Sequence, residues 1–498
     1  MNLKAMLENT AKHYADKTAI VMGERRITYA ELDRSANKVA HALLQLGVVR
    51  GDRVALMLAN SPEFVICYFG SIKAGAIPTP LDIRHKSEEL ARLLHNCQPK
   101  VLIIGDSLLE PVIPALSRFH SIKHIINVGA THDGNFLSYQ NILTTSPASA
   151  IDREPAPDDL ATISYAGGPT AHPHGAMLTH RFLATAADSY AAGFRQTDRD
   201  VSMLFSLPMY HMLGLASVLL ASIARGSTVV IVPGTGRSIG SFFETVEKER
   251  GTIFLAVPYI YALAVNVARR EGITSDLSSL RLCVSGGAPL PLTIIHQFQQ
   301  YYGFNIIDVW GLTEAVAHVT CSADGTSKLG STGKVLPGWE IKVVDDDGTG
   351  LPPNQPGEIL VKGLITRGYY HNPQATAAII RDNWLQTGDI GKIDEEGYLY
   401  ITGRKKEMII FKGENIYPGD IEQVLCDHPK VDRARVTGIP DELRGETIRA
   451  FIVLKQGETV TETEIRKFCQ PRLADYKLPR EIVFTDVLPP PSPSQIWG

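Results

Sequence analysis

Cysteine is scarce in this 498-residue chain: Cys67, Cys97, Cys283, Cys321, Cys426 and Cys469 form no close pair, no CxxC and no Cys/His cluster at zinc spacing. A disulfide framework and a structural zinc site are therefore excluded as organising features, and six buried thiols in a reducing compartment are expected. A surplus of charge of either sign is also missing. With 49 Lys+Arg against 53 Asp+Glu the net charge is -4. No general attraction to nucleic acid or anionic lipid follows, so any phosphate site must be local. No apolar run reaches the roughly 20 residues that a membrane span needs. The strongest, Met212–Ala224 and Thr252–Ala268, fall short, and the second is interrupted by Pro258 and Asn266; both read as buried core. The opening MNLKAMLENTAKHYADK has neither a long apolar core nor a small-residue cleavage site, which predicts no secretory signal and a cytoplasmic location. What is present is an ordinary globular composition, 44% hydrophobic and 20% charged, in a chain long enough for more than one core.

From Thr28 to Leu46 the positions Leu32, Ala36, Val39, Ala40, Leu43 and Leu44 recur at helical spacing before Gly47, which predicts an amphipathic helix. RVALMLAN, a helical stretch, AIPTPLD, another helical stretch and KVLIIGD then alternate as in a parallel sheet buried on both faces. The rhythm returns in VSMLFSL, STVVIV, TIFLAV and LRLCVSGG, so two such halves are expected. After about Ser331 the alternating strands WEIKVVDDDG, GEILVKG and GYLYITG predict a β-rich unit. Beyond Gly403 the order strand, helix, strand, strand, helix predicts a separate α+β unit. The fold class is thus α/β: a large N-terminal domain (1–402) of two doubly wound α/β subdomains plus a β-rich subdomain, and a small hinged α+β C-terminal domain (403–498), with Arg404-Lys405-Lys406 as the hinge.

Several short motifs carry chemical side chains, each with a plainer structural reading beside it. WGLTE sets a ring and a glycine, Trp310 and Gly311, before a hydroxyl and a carboxylate, Thr313 and Glu314; Thr-Glu is equally a common helix opening. Asp389 in TGD suits a pair of vicinal hydroxyls or a turn between strands. Arg404 and Lys406 in GRKK offer phosphate donors or a solvated face. SGGAPL, with Gly286, Gly287 and Ala288, follows a strand and allows close backbone approach to a ligand.

Taken together and in order, these passages, with ITYAELD, GDRVALMLANSPEFV, GSIKAGAIPTPLD, LPMYHMLGL, STGKVLPG and YLYITGRKKEMIIFKGENIYPGDIEQVL, resemble the adenylate-forming ligases over essentially the whole chain, in the acyl-CoA synthetase branch. The resemblance implies an enzyme that activates a fatty or aryl carboxylic acid with ATP through acyl-AMP and passes it to CoA. It implies ATP/AMP, Mg²⁺ and CoA as cofactors, a small-molecule acid as partner, no nucleic acid, and is compatible with a homodimer. It places Gly168, Thr170, Gly286, Gly287, Ala288, Trp310, Gly311, Thr313, Asp389 and Arg404 at the nucleotide, and Thr170 and Glu314 at the metal. Asp389 would take the ribose hydroxyls, Lys406 would be the pivot of a rotating small domain, and His211 would stand beside the acyl carboxylate. Lys412, Gly413 and Glu414 would line the path of the CoA thiol. Met209, Tyr210, His211, Leu215 and Val309, with Val284 and Gly286, are candidates for the acyl pocket, and Lys477 reads as a surface or CoA-phosphate contact.

The chain departs from the family pattern twice. The phosphate loop reads Ala166-Gly167-Gly168-Pro169-Thr170-Ala171-His172-Pro173-His174-Gly175: it lacks the first hydroxyls and the lysine, Pro169 removes a backbone donor, and His174 is the remaining conditional cation. Near the C-terminus Gln495 stands where the family carries a catalytic lysine, or a gap falls there if the prolines Pro489, Pro490, Pro491 and Pro493 shift the register. The lost charge predicts a fall of roughly 10²–10³ in adenylation rate. Three readings follow: a ligase running both half-reactions, an enzyme retaining only the CoA half-reaction, and a non-catalytic nucleotide or acyl-CoA binder. With Thr170, His174, His211, Glu314, Lys406 and Gln495 as the catalytic set, the first is expected, with adenylation impaired.

Overall fold

The computed structural model describes residues 1–109, 112, 119–130, 136–165, 173–233, 238–322, 327–404, 408–441 and 443–489, without the side chain of residue 415. Gly168, Thr170, Lys406 and Gln495 lie outside the described residues.

Two parallel sheets form the large domain's frame. The first runs Ile77–Pro80, Arg53–Met57, Val101–Gly105, His124–Val128, Leu137–Ser138, all parallel. Pro78 and Pro80 are tolerated because their strand is at the edge, where the missing N–H groups cost no ladder bonds. The second runs Ile306–Asp308, Leu282–Ser285, Ile253–Ala256, Val201–Phe205, Thr228–Val232, Thr18–Met22, Arg25–Thr28. Its first six strands are parallel, and a hairpin at the chain's start closes the edge. The N-terminal strand therefore belongs to the sheet built from residues beyond 200, not to the half that follows it in sequence. Its pairing Ile20↔Val229 ties the start of the chain to that sheet by backbone hydrogen bonds.

The helix Tyr29–Gln45 opens with a reciprocal Thr28/Glu31 cap and buries Leu32, Ala36, Val39, Ala40 and Leu43. Met212–Ala224 and Thr252–Ala268 are core, as expected. The former contains a π-helix, Leu213–Leu220; the latter is the strand Ile253–Ala256 and the helix Pro258–Glu271, whose Pro258 takes the first turn where no N–H is needed. An antiparallel sheet of Trp339–Val344, Gly357–Gly363, Trp384–Ile393, Ile380–Arg381 and Leu399–Arg404 supplies the β-rich unit.

A smaller C-terminal domain has its own core, including Ile409, Phe411, Ile421, Val424, Leu425, Val436, Ile448, Ile452, Ile465 and Ile482. It surrounds the strands Ile409–Phe411, Glu414–Ile416, Val431–Asp441, Gly445–Leu454 and Glu481–Phe484 and the helices Pro418–Cys426 and Glu462–Cys469. Five cysteines are buried, but Cys426 is exposed, because the helix's inward stripe is Ile421, Val424 and Leu425 and position 426 falls beside it. Among the described residues no helix is long and apolar enough to cross a membrane.

Candidate active site

The site lies where the two domains meet, and the ends of three motifs converge there. Thr313–Ala315 is a single 3₁₀ turn whose N-cap, Leu312, makes no side-chain cap bond, so Thr313 is not a helix cap. Glu314 is 7% exposed and its Oε1 accepts the hydroxyl of Tyr369 at 2.5 Å. Burial pushes its carboxyl above the ordinary range, against the pull of that hydrogen bond. Two residues on, Val316 holds φ +77°, left-handed for a β-branched residue, so the backbone around Glu314 is under strain. Gly311 is required by the chain itself: a Cβ there would sit 2.3 Å from Ala317 O and 2.5 Å from the Cα of His318.

Trp310, just past the strand Ile306–Asp308, and Asp389 from the distant strand Trp384–Ile393 meet in one bond, indole Nε1 donating to Oδ2 at 2.8 Å. Asp389 lies within the strand Trp384–Ile393, 5% exposed, and pairs with Arg404 Nε at 2.6 Å; it is not an ordinary turn aspartate. Arg404 Nη1 is buried without a hydrogen-bond partner among the described residues, as are Ser285 Oγ and Asp308 Oδ1. A guanidinium N–H left over beside a buried carboxylate suits ribose or phosphate oxygens, so the donor set fits a nucleotide. Glu314, buried with no ion pair among the described residues, fits a divalent cation. His174 stacks on Tyr369 with centroids 4.6 Å apart and meets Tyr417 edge-on at 6.3 Å.

On the acyl side the small domain inserts the turn Lys412-Gly413-Glu414. Lys412 (φ +54°) lays its ammonium over Tyr259 at 4.6 Å. Gly413 (φ +86°) packs so closely that a Cβ would be 2.5 Å from Val257 Cγ1. Glu414 reaches His211 Nε2 at 3.2 Å and Arg84 Nη1 at 2.8 Å. Arg84 also grips Asp82, Nη2 to Oδ2 at 2.6 Å, and lies over the Tyr476 ring at 4.5 Å. Burial opposes the His211 imidazolium, but Glu414 outweighs it and the histidine is raised; Glu414 itself, despite burial, is pulled down to about 2 by Arg84 and His211. The carboxylates of Asp82 and Glu414 with His211 have the spacing of a metal cluster, but the Arg84 guanidinium already pairs with both carboxylates.

Gly286 and Gly287 are packed against apolar side chains: a Cβ at Gly286 would be 2.8 Å from Val309 Cγ2, and one at Gly287 3.1 Å from Leu213 Cδ1. Tyr210 tilts against His211 at 5.6 Å. Leu213 reaches both glycines, whereas Leu215 and Met209 are core residues 1% and 0% exposed. In the π-helix, residues two apart point to opposite sides, which sends Leu215 away from that wall. Lys477 is neither at the surface nor free for a CoA phosphate: it is 0% exposed and bound to Glu89 Oε1 at 2.8 Å. Asp82, Arg84, Tyr369, Tyr476 and Glu89 escape sequence reasoning; LDIR and RGYY carry the polar residues, but only long-range pairing gives them partners.

Comparison with known proteins agrees with this arrangement. The AMP-binding enzyme model matches residues 7–370 and the AMP-binding enzyme C-terminal domain model residues 420–490. The indoleacetate–CoA ligase of Aromatoleum aromaticum is 34% identical over 494 residues, 98% of this chain and 95% of that protein. An anthranilate CoA ligase in complex with anthranoyl-AMP superposes with TM-score 0.77 at 29% identity, covering 100% of this chain and 95% of its own. The o-succinylbenzoate CoA synthetase of Bacillus subtilis, bound with its product analogue OSB-NCoA, superposes with TM-score 0.86 at 27% identity, covering 99% and 97%. With both family models in place and a ligase matching nearly end to end, the chain belongs to the AMP-binding enzyme family, among its adenylate-forming acid–thiol ligases.

Proposed function

We propose that the protein is an ATP-dependent carboxylic acid–CoA ligase for a fatty or aryl acid, working through acyl-AMP, with its adenylation half-reaction slowed. One observation carries this reading: Glu414 of the small domain stands 3.2 Å from His211 of the large domain, in a chain that also holds the Trp310–Asp389–Arg404 network. In this reading that contact sets a thiol-side residue of the small domain next to an acyl-side residue of the large domain. In the first step a carboxylate oxygen would attack the α-phosphorus and pyrophosphate would leave. In the second the CoA thiolate would attack the acyl carbonyl and AMP would leave.

In this reading Asp389 holds the ribose, Arg404 adds its spare N–H, and Trp310 fixes Asp389 in place. Glu314 would hold Mg²⁺ with Thr170. Bound there, the ion would neutralise phosphate charge. Gly286, Gly287 and Val309 would wall the acyl chain, and Arg84 would keep Glu414 ionised against His211. The division near residue 402, the pivot at Lys406, a homodimer and a cytoplasmic location belong to the same proposal.

A second reading, an enzyme keeping only the thioester half, is favoured by Gln495 in the lysine position and by Pro169 in the phosphate loop. Pyrophosphate release with ATP, Mg²⁺ and a panel of fatty and aryl acids separates the two, run beside Gln495→Lys and beside thioester formation from synthetic acyl-AMP. Release by the native protein supports the full ligase. Silence there, with conversion of acyl-AMP and release restored by the variant, supports the half-enzyme; silence in every arm leaves a binding protein.

A further inference from the structure

Outside the reacting groups, the two domains meet at a compact set of opposite charges. The helix Ser87–Cys97 of the large domain opens with Lys86, Glu88 and Glu89. Each faces a charge on one short stretch of the small domain: Lys86 Nζ lies 3.1 Å from Asp475 Oδ1, Glu88 Oε1 4.0 Å from Arg472 Nε, and Glu89 Oε1 2.8 Å from Lys477 Nζ. The first two pairs are largely exposed on at least one side and contribute little. The third is different: the Lys477 side chain is 0% exposed and that of Glu89 5%.

An ammonium stripped of water is costly unless a carboxylate compensates it. Glu89 is prepared for that role. Its Oε2 accepts the backbone N–H of Lys86 at 3.2 Å, so one oxygen caps its own helix and the other meets Lys477. The positive helix end favours the ionised form as well, and Glu89 stays near pKa 2 because His85 and Lys477 outweigh its burial. Within the small domain Lys477 has Asp420 Oδ2 at 4.0 Å, an atom with no hydrogen-bond partner. Lys477 therefore stands between two carboxylates, one from each domain.

The pair is joined to the reacting groups. Tyr476, next to Lys477 in the turn Asp475–Lys477, is the ring under Arg84, and Arg84 holds Glu414 against His211. We propose that Glu89 and Lys477 are a docking pair, positioning residues that seat the small domain so that Glu414 and the thiol path meet the acyl site in the thioester half-reaction. This rests on the two-step ligase reading and deepens it. When the small domain turns away, both charges regain water; when it docks, the pair forms only in the register that also brings Tyr476 under Arg84. Neither residue touches a reacting atom.

The test uses the full-length protein and four variants, Glu89→Gln, Lys477→Met, Lys477→Arg and the Glu89→Gln/Lys477→Met double. Thioester formation from synthetic acyl-AMP and CoA is read beside AMP affinity by calorimetry and thermal stability. The expected result is a fall in thioester kcat of about 10–100-fold in Glu89→Gln and Lys477→Met, with AMP affinity within about twofold of native. Lys477→Arg should restore part of the rate, and the double variant should lose no more than the worse single one. Full thioester kcat in Glu89→Gln, or losses that add in the double variant, would overturn the proposal. So would equal losses of AMP affinity and thioester rate. If Lys477→Met fails to fold, Glu89→Gln, altered only on the large domain, carries the decision. Native protein that does not convert acyl-AMP would instead overturn the ligase reading beneath it.

Discussion

At 3.2 Å from His211 and 2.8 Å from Arg84, Glu414 converts a histidine that burial alone would leave neutral into one that favours its proton. Its contribution to holding the domains together is full below the ordinary imidazole pKa and is lost as pH rises through the raised His211 value. Glu414→Gln removes the raising partner and leaves the burial. The His211 limb in a pH profile of thioester formation should therefore move to lower pH, with the rate down about 10–100-fold; an unmoved limb would show that Glu414 does not govern His211. Asp389 makes a parallel case on the nucleotide side. Asp389→Ala strips the acceptor from Trp310 and leaves the Arg404 guanidinium buried beside it, so the AMP Kd from calorimetry should rise roughly 10–100-fold. Retained affinity would remove Asp389 from the ribose site.

The insertion turn Lys412-Gly413-Glu414 and the helix Ser87–Cys97 are the elements that decide how the domains meet. Gly413 has two separate reasons to be glycine, φ +86° and a Cβ position 2.5 Å from Val257 Cγ1. Gly413→Ala must shift the turn or the docked domain. It should slow thioester formation from acyl-AMP by roughly 10–100-fold, while AMP affinity, which the turn does not touch, stays within about twofold. A native thioester rate in that variant would mean that the turn does not need this packing. The main helices and strands were legible from periodicity: the spacing of Leu32, Ala36, Val39, Ala40 and Leu43 predicts Tyr29–Gln45, whereas the small domain's expected strand–helix–strand–strand–helix order missed the short strands Glu414–Ile416 and Glu481–Phe484. The π-helix Leu213–Leu220 was not legible, because a continuous apolar run supports any helix period.

Across the whole molecule, in the two-step reading proposed above, adenylation and thioester formation draw on different sets of residues, so the two departures from the family pattern should act on one half-reaction only. Gln495→Lys is expected to raise pyrophosphate release roughly 10²–10³-fold and leave the conversion of acyl-AMP to thioester unchanged in direction and order of magnitude. Equal effects on both would place residue 495 outside adenylation. The amino-acid sequence by itself determined the α/β class, the β-rich unit and the separate C-terminal unit, because local spacing and turn chemistry act within a few residues. Only the tertiary structure decided that Thr18–Met22 completes a sheet begun beyond residue 200, that Arg84 joins Asp82 to Glu414, and that Lys477 is buried against Glu89. Those outcomes depend on charges and strand edges hundreds of residues apart, whose pairing is favourable only after the cores have closed and water has been removed.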